Sequence, residues 1–153
     1  MGTFTFNIAL GKVNAYVERV DSNDPANSAI IVVPIDRGAE TDATLKDMDT
    51  LAAVLGAVTE RNTNNWNRKT LTDSDLTAPA PDDANDRQGA DTGDLLWSPG
   101  PTSGNVTDLL FCYDPDTTSG TDAGIVPLTC HAWAITPDGS EVTATVADFF
   151  RAS

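Results

Sequence analysis

The sequence has few basic residues and only one histidine. Its 153 residues include 9 lysines and arginines against 23 aspartates and glutamates, which gives a formal net charge of −14. Because a surface of this charge repels phosphate groups, we expect no nucleic acid partner. The sequence also lacks a run of about 18 apolar residues, so we expect no membrane-spanning helix. The first ten residues carry neither a basic stretch nor a long apolar block, and no signal peptide is predicted.

Motifs that bind nucleotides or zinc are missing. The sequence contains no GxxxxGK[ST], GxGxxG, CxxC or HExxH pattern, so we expect no cofactor. His131 is the single conventional general base, and its neighbour Cys130 would point to the opposite face of a strand. We therefore predict a protein that is not an enzyme, with a hydrolase based on His131 as an alternative. Cys112 and Cys130 lie in apolar contexts that favour burial, and a disulfide between them is left open.

The residues that are present favour strands and turns. Aspartate occurs 19 times and glutamate 4 times, beside 20 threonines, 11 glycines and 9 prolines. These residue types prefer turns and strands to helix interiors. The composition predicts a mainly β fold with one helix. We expect one compact antiparallel β-sandwich or barrel-like domain over residues 1–153, with extended arms and loops.

Apolar patterns place the elements in the first half of the chain. Alternation over 4–10 and again over 13–17 predicts two short strands. The continuous apolar run at 29–33 predicts a central strand buried on both faces. Helical spacing from Met48 to Val58, with Thr44 as the cap, predicts the single helix.

The second half contains further strands and two segments of unusual composition. Strands are predicted at 68–72, 95–97, 106–113 and 125–135. Residues 77–94 are rich in proline and aspartate, which predicts a long loop or an arm that reaches a partner. Residues 148–153 form an aromatic C-terminal tail that would either pack on the core or dock on a neighbour.

Two groups of residues are candidates for binding. Asp114, Asp116 and Asp122 are calcium candidates, because Ca²⁺ prefers several carboxylate oxygens on a flexible loop. The glutamate that an EF-hand needs at its twelfth position is missing, and the Asp-Pro-Asp sequence also makes an ordinary turn. The interface candidates are aromatic or basic residues in the presumed arms and in one polar stretch: Phe4, Phe6, Trp66, Arg68, Lys69, Phe149 and Phe150.

Several stretches of the chain together resemble a known family. They are FTFNIALGKV (4–13), DSNDPANSAIIVVPI (21–35), DATLKDMDTLAAVL (42–55), NRKTLTDSDL (67–76), PAPDDANDR (79–87), LLFCYDPDTTSGTDAGIVPLT (109–129), TPDGS (136–140) and FFRAS (149–153). The chain resembles small virion structural proteins of tailed bacteriophages that infect actinobacteria. The resemblance covers most of the chain but carries no catalytic motif.

The resemblance implies a non-enzymatic virion protein, assembled in the cytoplasm of the bacterial host. A strongly acidic protein suits the outer face of the head better than surfaces facing packaged DNA. We therefore expect a minor capsid or decoration protein that binds the major capsid protein and forms a homo-oligomer, with a trimer favoured. A head–tail connector, a tail terminator or another tail-associated protein is the alternative within the virion. A host-surface module that binds carbohydrate through exposed Trp and Asp is the alternative from another class.

Overall fold

The computed structural model describes residues 2–152, which form eleven strands and three α-helices. The helices are α1 (Val13–Asp21), α2 (Asp42–Lys46) and α3 (Leu51–Ala57). The strands are β1 (Phe4–Thr5), β2 (Ala29–Asp36), β3 (Thr59–Glu60), β4 (Lys69–Leu71), β5 (Leu76–Asp82), β6 (Arg87–Thr92), β7 (Leu95–Trp97), β8 (Val106–Asp114), β9 (Val126–Ile135), β10 (Val142–Ala144) and β11 (Phe150–Ala152).

The main sheet is antiparallel and has the order β1-β9-β8-β2. Two short strands share the outer edge of β2: β4 pairs with residues 30–32 and β3 with residues 35 and 36. Pro34 lies between the part of β2 that pairs with β4 and the part that pairs with β3. Proline has no backbone N–H to donate, and such a position tolerates this. Every residue of β2 except the last is buried, so the predicted central strand is confirmed.

The two faces of the main sheet are covered by different elements. One face, which we call the helix face, packs against α2 and α3 through a core that includes Phe6, Ile31, Leu51 and Leu110. The other, which we call the strand face, packs against α1 and two small sheets. The small sheets have the orders β11-β6-β5 and β10-β7. The prediction of a mainly β, antiparallel, sandwich-like fold is confirmed, and the sheets formed by residues 2–152 do not close into a barrel.

The prediction of one helix is wrong, because residues 2–152 contain three α-helices. The strand predicted at 13–17 is part of α1, which buries Val13, Val17 and Val20 while Ala15 is exposed. Valines at i, i+4 and i+7 share one face of a helix, and the odd-numbered alternation that suggested a strand was incidental. The helix predicted from Thr44 to Val58 is split in two. Its two halves are capped by Thr41 and Thr50, whose hydroxyls accept hydrogen bonds from the backbone N–H groups of Thr44 and Ala53.

Residues 77–94 are not a loop, and this part of the prediction is wrong. They contain most of β5 and all of β6, which form a hairpin. β11 pairs with the other side of β6. Pro79 and Pro81 lie in β5, the edge strand of this sheet, where proline blocks further strand pairing. The segment belongs to the fold because β6 pairs on both of its edges.

Both chain ends join the sheets. The strand predicted over 4–10 stops at Thr5, since residues 7–9 form a 3₁₀ turn and Leu10 is exposed. At the other end β11 begins at Phe150, and Ser153, the last residue of the predicted aromatic tail, lies outside the described residues. No helix within residues 2–152 is long and apolar enough to span a bilayer.

Candidate functional site

Arg37, immediately after β2, forms an ion cluster inside the helix face. Its side chain is fully buried and binds the buried carboxylate of Asp108 on β8 and the half-buried carboxylate of Asp42 on α2. The guanidinium Nε donates to Asp108 Oδ2 at 3.1 Å, and Nη2 also donates to Cys130 Sγ at 3.2 Å. The Phe4 ring lies against the same guanidinium, and its centroid is 5.6 Å from Arg37 Cζ. A buried charge is tolerated only with such partners.

The two cysteines are buried and unpaired. Burial, followed by the nearby Asp108 charge, raises the pKa of the Cys130 thiol to about 12. Burial likewise raises the pKa of Cys112. Because the thiolate is the reactive form, both groups are inert at neutral pH and serve as core side chains.

Arg68 forms a second ion cluster, at the edge of the helix face. Its guanidinium donates to both carboxylate oxygens of Glu60 at 2.6 and 2.9 Å, and to both oxygens of Asp122 at 2.7 and 2.9 Å. Hydrogen bonds from Arg68 hold the pKa of Asp122 below its ordinary value. Arg68, an interface candidate, and Asp122, a calcium candidate, therefore bind each other.

The other two calcium candidates take part in turns. Asp114 Oδ1 accepts the backbone N–H of Asp116 at 3.0 Å. Asp116 in turn accepts hydrogen bonds from Thr118 and Ser119, and bonds from these groups lower its pKa. Residues 2–152 contain no group of three or more His, Cys, Asp or Glu side chains arranged to hold a metal ion.

Three tryptophans meet on the strand face. Trp66 and Trp97 are buried with their ring centroids 5.3 Å apart, and Trp133 lies half-buried at 5.6 Å from Trp97. The indole nitrogens of Trp66 and Trp97 donate to the carbonyls of Gly104 and Asn67. Lys69, an interface candidate, places its ammonium 5.0 Å from the Trp97 ring centroid. Trp66 is thus part of the core and offers no exposed ring to a partner.

Most of the other interface candidates are also internal. Phe4 and Phe6 are buried in the helix-face core, with ring centroids 5.2 Å apart. Phe149 is buried on the strand face, where it stacks on Phe111 at 4.6 Å. Phe150 is half-buried. Within the described chain the large apolar side chains left exposed are Leu10 and Leu96.

His131 lies on β9 beneath the chain that follows β10. We call residues 145–152 the C-terminal strap. The His131 Nε2 lies 3.0 Å from Thr129 Oγ1, and Phe149 of the strap borders both cavities together with the ring. The edge of the ring packs against Phe111, with centroids 5.3 Å apart. Burial lowers the pKa of His131, although the nearby Phe149 backbone acts in the opposite direction.

Two cavities flank the strap, and His131 borders both. The first, of about 210 Å³, lies between the strap and residues 131–133 of β9. The second, of about 430 Å³, lies between β1 and residues 148–151. Asp148 also borders both cavities, but its carboxylate is bound by Arg151 of the strap. These are the concave places where the strap meets the main sheet.

No protein-family model, curated protein or solved structure matches the chain. The residues themselves therefore define the candidate site, which is the strap with His131 and its two cavities.

Sequence reasoning missed the Arg37 cluster. Two signals were present: an arginine directly after Asp36, the last residue of β2, and Asp108 immediately before the apolar run that starts at Leu109 in β8. Polar residues in buried strands generally have a partner, so the two could have been matched. The strap could not have been found this way, because nothing local to residues 145–152 indicates which strand they cross.

Proposed function

We propose that the chain is a non-enzymatic structural protein of a bacteriophage particle, most specifically a minor capsid or decoration protein on the outside of the head. The structural role is supported by the placement of the side chains that could react. The single histidine and both cysteines contact other residues inside the fold, and burial shifts their pKa values in the direction that favours the neutral form of each group. The bacteriophage assignment is supported by the resemblance of the sequence.

Charge supports a position on the outside of the particle. The net charge of the chain is −14. Some of its acidic residues are paired with arginine in the Arg37 and Arg68 clusters. The remaining carboxylates lie mainly on the surface. Such a surface repels packaged DNA and remains soluble in the host cytoplasm during assembly.

The proposed homo-oligomer, with a trimer favoured, must use other surfaces than the aromatic arms. Phe4, Phe6, Trp66 and Phe149 are buried within one chain, so they cannot serve as anchors while the fold is intact. We propose that contacts with copies of the chain, and with the major capsid protein, are largely polar. Light scattering on the purified chain would give three times 16.1 kDa for a trimer.

Copy number in purified particles tests the proposal most directly. Quantitative mass spectrometry against the major capsid protein should give comparable amounts for a decoration protein. A handful of copies would instead favour a head–tail connector, tail terminator or other tail-associated protein. Absence from washed particles would contradict a virion role altogether.

The carbohydrate-binding alternative has a separate test. It requires an exposed aromatic ring, and Trp133, half-buried beside the 210 Å³ cavity, is the tryptophan that comes nearest to this. Trp66 and Trp97 are buried with their indole nitrogens bonded internally. If the alternative is correct, host cell-wall sugars should quench tryptophan fluorescence in the wild type and not in Trp133→Leu.

A further inference from the structure

The C-terminal strap is attached to the rest of the chain in two different ways. Toward the small sheet it is held by backbone pairing: the Phe149 N–H donates to the Ala90 carbonyl at 3.0 Å, and β11 pairs with β6. Before this, the Val146 N–H donates to Asp94 Oδ1 at 3.0 Å. Toward the main sheet its most buried contact is Phe149, which stacks on Phe111 beside His131, and Val146 and Phe150 are partly buried against the same core.

Open space borders the attachment to the main sheet on both sides. Cavities of about 210 and 430 Å³ lie beside Phe149 and His131, and of residues 145–152 Phe149 alone is buried. Segments with few buried contacts open locally at lower free energy than the global unfolding of the domain. The strap therefore has the features of a separately opening unit.

The position of His131 makes the attachment of the strap sensitive to the charge of the imidazole ring. Its ring lies between Phe111 and the strap and is half-buried. An imidazolium in such a place loses hydration, and this loss disfavours protonation unless an opposite charge offsets it. Detachment of the strap would return the ring to water.

The charged groups around His131 do not supply that compensation. β1, β8 and β9 present neutral side chains to the cavities beside the ring, and the strap contributes Asp148 and Arg151. Those two bind each other, so the carboxylate is already neutralised. Asp108, which neighbours the cross-strand partner of His131, pairs with Arg37 on the helix face.

We propose that the C-terminal strap is a pH-controlled latch: neutral His131 holds Phe149 against the main sheet, and protonation of His131 releases residues 145–152. Release would expose Phe149 and free the edge of β6, so that an aromatic side chain and a strand edge become available in mildly acidic surroundings. The latch depends on this chain alone and stands whether or not the virion assignment is correct.

The sign of the pH dependence follows from linkage. Burial depresses the pKa of His131 in the attached state, so the released state binds the proton more readily. The attachment is therefore complete above the ordinary histidine pKa of about 6.5 and weakens as pH falls through the lower, attached-state value. Each unit by which the two pKa values differ favours release about tenfold in acid.

The test is a pH titration of the isotope-labelled full chain by NMR between pH 7.5 and 5. The His131 ring signals should titrate with a midpoint below 6.5. Amide signals of the strap and of residues 88–90 should shift with the same midpoint. Exchange rates of those amides, corrected for the intrinsic effect of pH, should rise by about tenfold for each unit by which the two His131 pKa values differ, while amides of β2 and β8 stay protected.

Two variants give the matched comparison. His131→Gln stays neutral over this pH range, so the step in strap exchange should disappear. Gly89→Ala is the control on the partner strand: its Cβ would lie 3.1 Å from the Asp148 carboxylate, but it leaves His131 ionisable, so the pH step in strap exchange should persist. If His131→Gln does not fold, the wild-type titration decides alone.

Three results would overturn the latch. His131 could titrate without any change in the strap, the step could persist in His131→Gln, or β2 and β8 could lose protection together with the strap. The last result would mean that acid unfolds the whole domain and does not open a local unit.

Discussion

The two faces of the main sheet are closed by different chemistry. The helix face contains the two arginine clusters, with Arg37 fully buried between Asp42 and Asp108 and Arg68 bound to Glu60 and Asp122. The strand face contains the three tryptophans, His131 and the strap, and the two cavities lie beside it. The difference teaches that one face is fastened in part by specific charge pairs, whereas the other is closed by aromatic packing and by a strap with open space beside it.

The largest test of this comparison is one substitution made on each face. Phe6→Ala removes a fully buried ring from the core of the helix face, and we expect a loss near the upper end of the usual range, about 5 kcal/mol. Phe149→Ala lies beside an existing cavity where the strap can adjust, and we expect about 3 kcal/mol. Urea unfolding measures both losses. Equal losses would contradict the difference in packing between the faces.

The next test concerns the buried charge of the helix face. Arg37→Met leaves the buried Asp108 carboxylate without its main partner, and we expect a loss of about 3 kcal/mol at neutral pH. Arg61→Met is the matched control, because Arg61 pairs with Asp36 at the surface and both side chains are more than one-quarter exposed. Its loss should stay below about 1 kcal/mol. Similar losses in the two variants would mean that the burial of Arg37 has no energetic consequence.

A smaller effect is expected at the edge of the same face. Arg68→Met removes the partner of Glu60 and Asp122, and we expect about 1.5 kcal/mol, the low end for charged hydrogen bonds because the site is partly exposed. The pKa of Asp122 is lowered in the folded state, so its contribution is present above the ordinary value of 3.8 and is lost as pH falls below it. The variant should therefore lose less stability than the wild type between pH 5 and 2.5. An unchanged acid limb of the unfolding curve would argue against the pairing.

The smallest test addresses how the helix face is formed locally. Thr50 caps α3, and its hydroxyl accepts the Ala53 N–H at 3.2 Å. Thr50→Ala should reduce stability by about 1 kcal/mol. Thr44→Ala is the control: this residue was the cap predicted from the sequence, but the structure places it inside α2. Thermal unfolding of the two variants checks whether the cap lies at residue 50; a larger loss in Thr44→Ala would contradict it.

Prediction from the sequence succeeded where the pattern is local and long. The continuous apolar run of β2 and the long strands β8 and β9 were predicted within a few residues, because buried strands need apolar side chains on both faces. It failed at α1, where Val13 and Val17 fit both a strand and a helix face, Ala15 fits the strand pattern only, and Val20 was not included in the pattern. It failed at 77–94 because edge strands tolerate proline and polar residues and resemble loops.

The candidate site was the part least accessible to prediction. Phe4, Phe6 and Phe149 were predicted as interface candidates, and for the C-terminal aromatic tail the sequence left open whether it packs within the chain or on a partner. The answer depends on the register of β1 with β9 and of β11 with β6, which are contacts between each end of the chain and a strand far away in the sequence. The same registers place His131 under the strap.

By itself, the sequence determined the acidic surface, the antiparallel β character and the identity of the central strand. These follow from composition and from the period of apolar residues, which are properties of neighbouring positions. The tertiary structure alone decided that Arg37 meets Asp108, that Arg68 binds Glu60 and Asp122, and that the strap covers His131. Those pairs join residues separated by up to 71 positions, and only the folding of the sheets brings them within bonding distance.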